Sequence, residues 1–206
     1  MPHAKHVAHL KKSDPVLKTL IEGVKLAEIS RTRGYFEALV EAIVSQQLSV
    51  KAADTIFNRF AALTPGKKFP TPKQIIAMPV RKMRKAGLSR MKVSFIKDLA
   101  KKVLDRTVNL KEIEKLPDEK VIEHLTAVKG IGTWTAEMFL IFSLRREDIF
   151  SYGDLGLRNA MQRAYKMKKA PTEKQAQKIA ANWKPHRSLA SRYLWASLDN
   201  ARKEKK

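Results

Sequence analysis

The chain has no cysteine among its 206 residues. That excludes disulfides, zinc–thiolate sites and iron–sulfur clusters held by cysteine. No apolar run approaches the ~18 residues of a spanning helix, so a soluble chain is expected. The first dozen residues carry basic groups and histidines but no apolar stretch, and do not read as a secretory signal. Acidic residues are scarce: 20 Asp and Glu face 42 Lys and Arg, a formal net charge of +22. A twofold excess of one sign makes a broad positive field that gathers polyanions. Nucleic acid is the first partner this implies, and an acidic membrane surface the second. Alternating strand patterns, long-period repeats and low-complexity linkers are missing as well.

What is present is helical periodicity. Phe36, Leu39, Val40, Ile43 and Val44 mark one helix face, and Ile56, Phe57, Phe60 and Leu63 the next. Thr71-Pro72 reads as an N-cap followed by proline at the first helical position. Gly87 ends a basic helix and Ser89 caps another. That helix places Phe95, Ile96, Leu99, Ala100, Val103 and Leu104 inward and Lys92, Lys97, Lys101 and Lys102 outward. Val121, Ile122 and Leu125 open a further helix, and Phe139, Leu140 and Phe142 lie on the one after it. Pro171-Thr172 starts another, and Leu189, Tyr193, Leu194 and Trp195 belong to the last, with Trp183 and Trp195 read as core. The fold class is all-α. With 44% hydrophobic residues, the chain can bury one sizeable core or two small lobes. Residues 1–12 are expected to be a flexible basic terminus, 13–200 the folded domain, and 201–206 a disordered tail. His3, His6 and His9, three apart, could form a metal site, but a solvated terminus is the simpler reading.

The densest signal is Val128-Lys129-Gly130-Ile131-Gly132-Thr133-Trp134-Thr135-Ala136, with Asp154 twenty residues after Trp134. Two glycines around one apolar residue allow a tight turn and close backbone approach between helices. The second helix starts near Gly132, and its first N–H groups make a ready phosphate site. Asp154, before Leu-Gly-Leu-Arg, is on local grounds a good helix N-cap.

Several segments together carry a family resemblance. They are Ile43-Val44-Ser45-Gln46-Gln47-Leu48-Ser49, Ala86-Gly87-Leu88-Ser89 with Lys92, the hairpin, Asp148-Ile149-Phe150-Ser151-Tyr152-Gly153-Asp154-Leu155, and Pro185-His186-Arg187-Ser188. In this order, over roughly residues 10–200, they resemble the helix-hairpin-helix DNA glycosylases, specifically 3-methyladenine DNA glycosylase II, the AlkA-like alkylpurine enzymes. The resemblance implies two helical lobes flanking a DNA-binding cleft. The middle lobe spans roughly 30–130, and the other combines the N-terminal helix with 131–200. It is the compact form, without the N-terminal β domain of longer members. Some members carry an iron–sulfur cluster, which the lack of cysteine excludes here.

The implied activity is monofunctional excision of alkylated purines, 3-methyladenine and 7-methylguanine, from double-stranded DNA. A glycosylase for neutral lesions (hypoxanthine, uracil) and a non-enzymatic binder of distorted DNA are the alternatives. Asp154 would be the catalytic carboxylate, stabilising an oxocarbenium-like sugar and orienting water. Strand-cutting relatives carry lysine where Trp134 stands, and tryptophan cannot form an imine. Trp134, Tyr152 and His186 would line the base pocket. Trp134 and Tyr152 could equally be core residues, and His186 an ordinary surface histidine. Gln46, Gln47, Leu48, Lys129, Gly130, Ile131, Gly132, Thr133 and Arg187 would meet DNA. Gln47 or Leu48 would fill the gap left by an extruded base; the two glutamines could instead simply cap a helix end. Carbonyls of Thr126, Val128 and Ile131 would hold a monovalent cation. No cofactor is required, a monomer is expected, and the compartment is the cell interior: cytoplasm or nucleoid in a prokaryote, nucleus in a eukaryote.

Overall fold

Asp14, Ser49, Thr71, Ser89, Asp154 and Thr172 each accept a backbone N–H from the first turn of the helix that follows. Such caps replace partners the helix start lacks, at about 1 kcal/mol each. Thr71 and Thr172 form full capping boxes with Gln74 and Gln175. The computed structural model describes residues 4–29, 34–66 and 69–203, with the backbone alone over 199–203. Its elements are α1 (Ala4–Ser13), α2 (Pro15–Gly23), α3 (Tyr35–Ser45), α4 (Val50–Ala61), α5 (Pro72–Ala77), α6 (Val80–Lys85) and α7 (Arg90–Leu104). A 3-10 turn (Ile113–Lys115) leads to α8 (Asp118–Thr126), α9 (Thr133–Phe142), α10 (Leu155–Ala164), α11 (Glu173–Ala181) and α12 (Arg187–Lys203). The described residues contain no strand, so the all-α reading holds. None of their helices is long and apolar enough to cross a membrane.

The chain divides into two compact units, Arg31–Leu144 and Met1–Ser30 with Arg145–Lys206. The boundary falls after Leu144 rather than near 130, so the hairpin and all of α9 belong to the continuous unit. In that unit α3 buries Leu39, Val40, Ile43 and Val44, and α7 buries Val93, Ile96, Leu99 and Ala100. Each of the valines, leucines and isoleucines among them contributes about 1.5–3 kcal/mol. The α9 sequence is apolar almost all round and buries Thr135, Ala136, Phe139, Leu140 and Ile141. Phe69 stacks on Phe57 at 5.5 Å. Leu104, expected inward, is 42% exposed: as the last residue of α7 it lies past the end of the buried stripe.

The discontinuous unit is built around Trp183, fully buried with Leu10, Leu17, Leu157 and Met161. Asp14 ties it together. Its Oδ1 caps α2 through Val16 and Leu17, while its Oδ2 accepts from Trp183 Nε1 at 2.9 Å and from Tyr165 Oη. Burial and the Asp14 carboxylate push the Tyr165 hydroxyl far up, so it stays a donor. Residues 4–13, expected to be flexible, form α1, with Leu10 in the core. Helix α12 runs to Lys203. Residues 1–3, His3 among them, and 204–206 lie outside the described residues.

Candidate nucleic-acid interface and active site

Val128, 1% exposed, and Ile131, 4% exposed, anchor the hairpin loop to the core. The residues between and after them, Lys129, Gly130, Gly132, Thr133 and Trp134, are exposed. Gly130 has φ +81, and a β-carbon there would lie 2.1 Å from the Phe95 ring. Only glycine fits both constraints. The Ile131 N–H closes the turn onto the Val128 carbonyl at 3.1 Å. Gly132 offers α9 no side-chain cap. An exposed, uncapped helix start in a basic chain is suited to an anion.

Two polar side chains hold this loop, and one was not anticipated from the sequence. Gln46 Nε2 donates to the Gly130 carbonyl at 2.7 Å. The Lys129 N–H donates to Asp98 Oδ2 at 2.8 Å, and Lys102 Nζ reaches both oxygens of Asp98 at 2.9 Å. Burial pushes the Asp98 carboxyl up, but the Lys129 amide and the Lys102 ammonium outweigh it and hold it below its usual value. The only hint of this in the sequence is an acid one turn before Lys102 on a basic helix.

Gln46 and Gln47 occupy the turn between α3 and α4. Gln46 has φ −53 and ψ 129, Gln47 has φ 56, and the Leu48 N–H bonds the Ser45 carbonyl at 3.2 Å. These values describe a type II turn, whose third position favours glycine. Gln47 and Leu48 are both exposed at its tip. Lys92, expected outward, turns inward instead. Its ammonium bonds the carbonyls of Val44 at 2.7 Å and Gln46 at 2.8 Å, closing the C-terminal end of α3. Burial lowers its pKa. Trp134 is 48% exposed at the start of α9, which excludes the core reading.

In the other unit Asp154 is half-buried at the N-cap of α10. Its Oδ1 accepts from the Leu157 N–H and from Trp195 Nε1, the latter at 2.8 Å. Trp195 is therefore not a plain core residue. Two donors on one oxygen fix the carboxylate plane. The loop leading to Asp154 is braced by the Pro185-His186-Arg187-Ser188 segment. Arg187 forks onto Asp148, Nε to Oδ1 at 2.7 Å and Nη2 to Oδ2 at 3.0 Å, and also bonds the Asp148 carbonyl at 2.7 Å. Ser188 Oγ accepts from the Ile149 N–H at 3.0 Å. Arg187, expected at a phosphate, thus positions the aspartate loop. Tyr152 is half-buried at the edge of the core, with its hydroxyl 3.5 Å from the Pro171 carbonyl and the Arg158 guanidinium 5.5 Å over its ring. His186, expected in the base pocket, stacks on His6 at 4.0 Å and meets His9 edge-on at 5.4 Å. Burial, and the charges of His6 and His9, lower its pKa against the pull of Glu147.

Known proteins share this arrangement. DNA-3-methyladenine glycosylase 1 of Schizosaccharomyces pombe is 41% identical over 78% of this chain and 71% of its own length. A solved S. pombe 3-methyladenine DNA glycosylase, in complex with abasic DNA, superposes with a TM-score of 0.81 at 36% identity, covering 93% of this chain and 95% of its own. A Bacillus halodurans DNA-3-methyladenine glycosidase superposes with a TM-score of 0.86 at 33% identity, over 99% of this chain and 92% of its own. The family model described as HhH-GPD superfamily base excision DNA repair protein matches residues 40–186, from α3 through the hairpin and Asp154 to His186. Spanning most of the chain, this match places it in the HhH-GPD superfamily of base excision DNA repair proteins, to which it belongs.

Proposed function

We propose that this protein is a monofunctional DNA glycosylase that extrudes alkylated purines, 3-methyladenine and 7-methylguanine, from double-stranded DNA and hydrolyses their N-glycosidic bonds. The observation that carries this reading is the Asp154 carboxylate, held on one oxygen by the Leu157 amide and the Trp195 indole. A ring-alkylated purine is already cationic and departs without being protonated. The enzyme's task is then to stabilise the oxocarbenium-like sugar and to direct water onto it, which one fixed carboxylate does. No organic cofactor enters that reaction.

Each unit supplies its own part. The hairpin offers N–H groups to a phosphate, Gln47 and Leu48 project to fill the vacated stack, and Trp134 presents an aromatic face to a cationic base. A monovalent cation would be held by the carbonyls of Thr126, Val128 and Ile131. Carbonyls at a helix C-terminus carry partial negative charge, and that of Val128 keeps a lone pair after accepting the Ile131 N–H. One chain holds all these groups, so a monomer suffices, and the site of action is inside the cell, where the DNA is.

Incubation with methylated duplex DNA tests the reading. Free 3-methyladenine and 7-methylguanine should appear, with strands intact until hot alkali. Borohydride should trap no adduct in step with base release, since no amine attacks the sugar. Strand cleavage concurrent with excision, or no release of alkylated base, contradicts it.

A further inference from the structure

We propose that His6, Glu147 and His186 form a binding site for a divalent transition-metal ion of the zinc class, fastening the first helix to the start of the last. One nitrogen from each histidine and one carboxylate oxygen all lie within 4.8 Å of one another. His6 Nδ1 is 3.8 Å from Glu147 Oε1, and His186 Nδ1 is 3.4 Å from Glu147 Oε2. These separations exceed the usual 2.7–3.2 Å of an N–H···O bond. Bonds of about 2.0–2.2 Å in tetrahedral zinc place ligand atoms roughly 3.3–3.5 Å apart; the His186–Glu147 pair already has that spacing, and the His6 pair is somewhat wider. The two rings stack at 4.0 Å, 17° from parallel, with each Nδ1 near the carboxylate, so one ring turns out of the stack for both to meet a single ion.

The three groups come from distant parts of the chain, and two of them are braced. The Ser188 N–H bonds the Glu147 carbonyl at 3.0 Å, and the Arg187 fork on Asp148 locks the neighbouring residues together. Outer contacts of this kind orient metal ligands. His6, its side chain 25% exposed against 12% for His186, is the less enclosed of the two rings and the one that turns toward an ion. Two imidazoles and one carboxylate suit zinc, cobalt or nickel; magnesium and calcium require oxygen ligands. Water would complete the coordination. The benefit is local: α1 buries only Leu10 fully, in a chain with no cysteine to staple it. An ion bound only by the folded state stabilises that state in proportion to its occupancy.

The test is calorimetric titration of the full chain with zinc chloride in a non-chelating buffer, repeated with cobalt chloride by visible absorption. One equivalent should bind with roughly micromolar affinity and raise the melting temperature. Cobalt bands should have the intensity of four or five coordination. Glu147→Gln and His6→Ala should each weaken binding at least tenfold and abolish the thermal shift. Glu147 is largely exposed, so its variant should fold normally, which circular dichroism without metal verifies. Absence of saturable binding overturns the proposal. So does undiminished binding to Glu147→Gln, which would assign the ion to the N-terminal histidines alone.

Discussion

Trp195 Nε1 donates to Asp154 Oδ1 at 2.8 Å across the bare α-carbon of Gly156. A β-carbon on Gly156 would lie 3.1 Å from that oxygen and 3.6 Å from Trp195 Cδ1. The glycine therefore spares the carboxylate oxygen a tight contact, and the indole fixes its aim. Trp195→Phe keeps most of the packing and removes the donor. The single-turnover excision rate is expected to fall roughly tenfold, the value of a hydrogen bond to a charged group. DNA affinity should be unchanged. Rapid-quench excision beside a binding titration separates the two effects.

Gln47 occupies a position where glycine would be at ease. A non-glycine residue in the left-handed region costs about 1–3 kcal/mol, and such strain gathers at functional sites. Gln47→Gly is expected to stabilise the fold by about 1 kcal/mol in urea unfolding while slowing excision. The slowing should be strongest for a lesion in a fully stacked duplex and weakest where the target base is mismatched, since extrusion costs least there. Leu48→Ala under the same assay shows how the plug is shared.

Asp98 governs the shape of the hairpin. Asp98→Ala frees the Lys129 amide and the Lys102 ammonium, and DNA affinity is expected to drop about tenfold with little change in the rate from saturated complex. The acid response has a definite sign. The folded carboxyl sits below its ordinary value, so its contribution to stability is complete above about pH 4. It is lost as pH falls through the lowered folded value. Asp98→Asn should remove that part of the acid transition in a pH series of unfolding curves.

The Lys129 side chain is exposed beside the loop, while its amide is occupied by Asp98. Lys129→Ala should reduce the slope of log affinity against log salt by about 0.9, the share of one phosphate. The excision rate from saturated complex should remain. An unchanged salt slope would show that the side chain meets no phosphate.

Local rules were legible in the sequence wherever one residue decides one feature. Ser89 and Thr71 announced helix starts by their side-chain oxygens, and Gly130 announced a backbone that no other residue tolerates. Asp154 is legible as a helix cap, and its Oδ1 accepts the Leu157 N–H at the start of α10. The failures share a cause. Lys92 and Trp195 are long or polar-tipped side chains whose partners lie tens of residues away, and spacing along a helix says which face they leave but not where the tip arrives. His186 reads as a pocket residue by its place in a motif, yet its ring is engaged by His6 and His9 from a terminus expected to be solvated. That error came from charge: a basic, histidine-rich stretch looks solvated until Leu10 is seen to enter the core.

The most direct measurement is the single-turnover release of 3-methyladenine from methylated duplex DNA by Asp154→Asn. Asparagine keeps the size of the side chain and an oxygen for the Leu157 amide and the Trp195 indole, and it removes the negative charge. The fold and DNA affinity should persist while the excision rate falls by a factor of order 10² or more, the usual value of a preorganised electrostatic group. Release at close to the wild-type rate would contradict the assignment of Asp154 as the catalytic carboxylate.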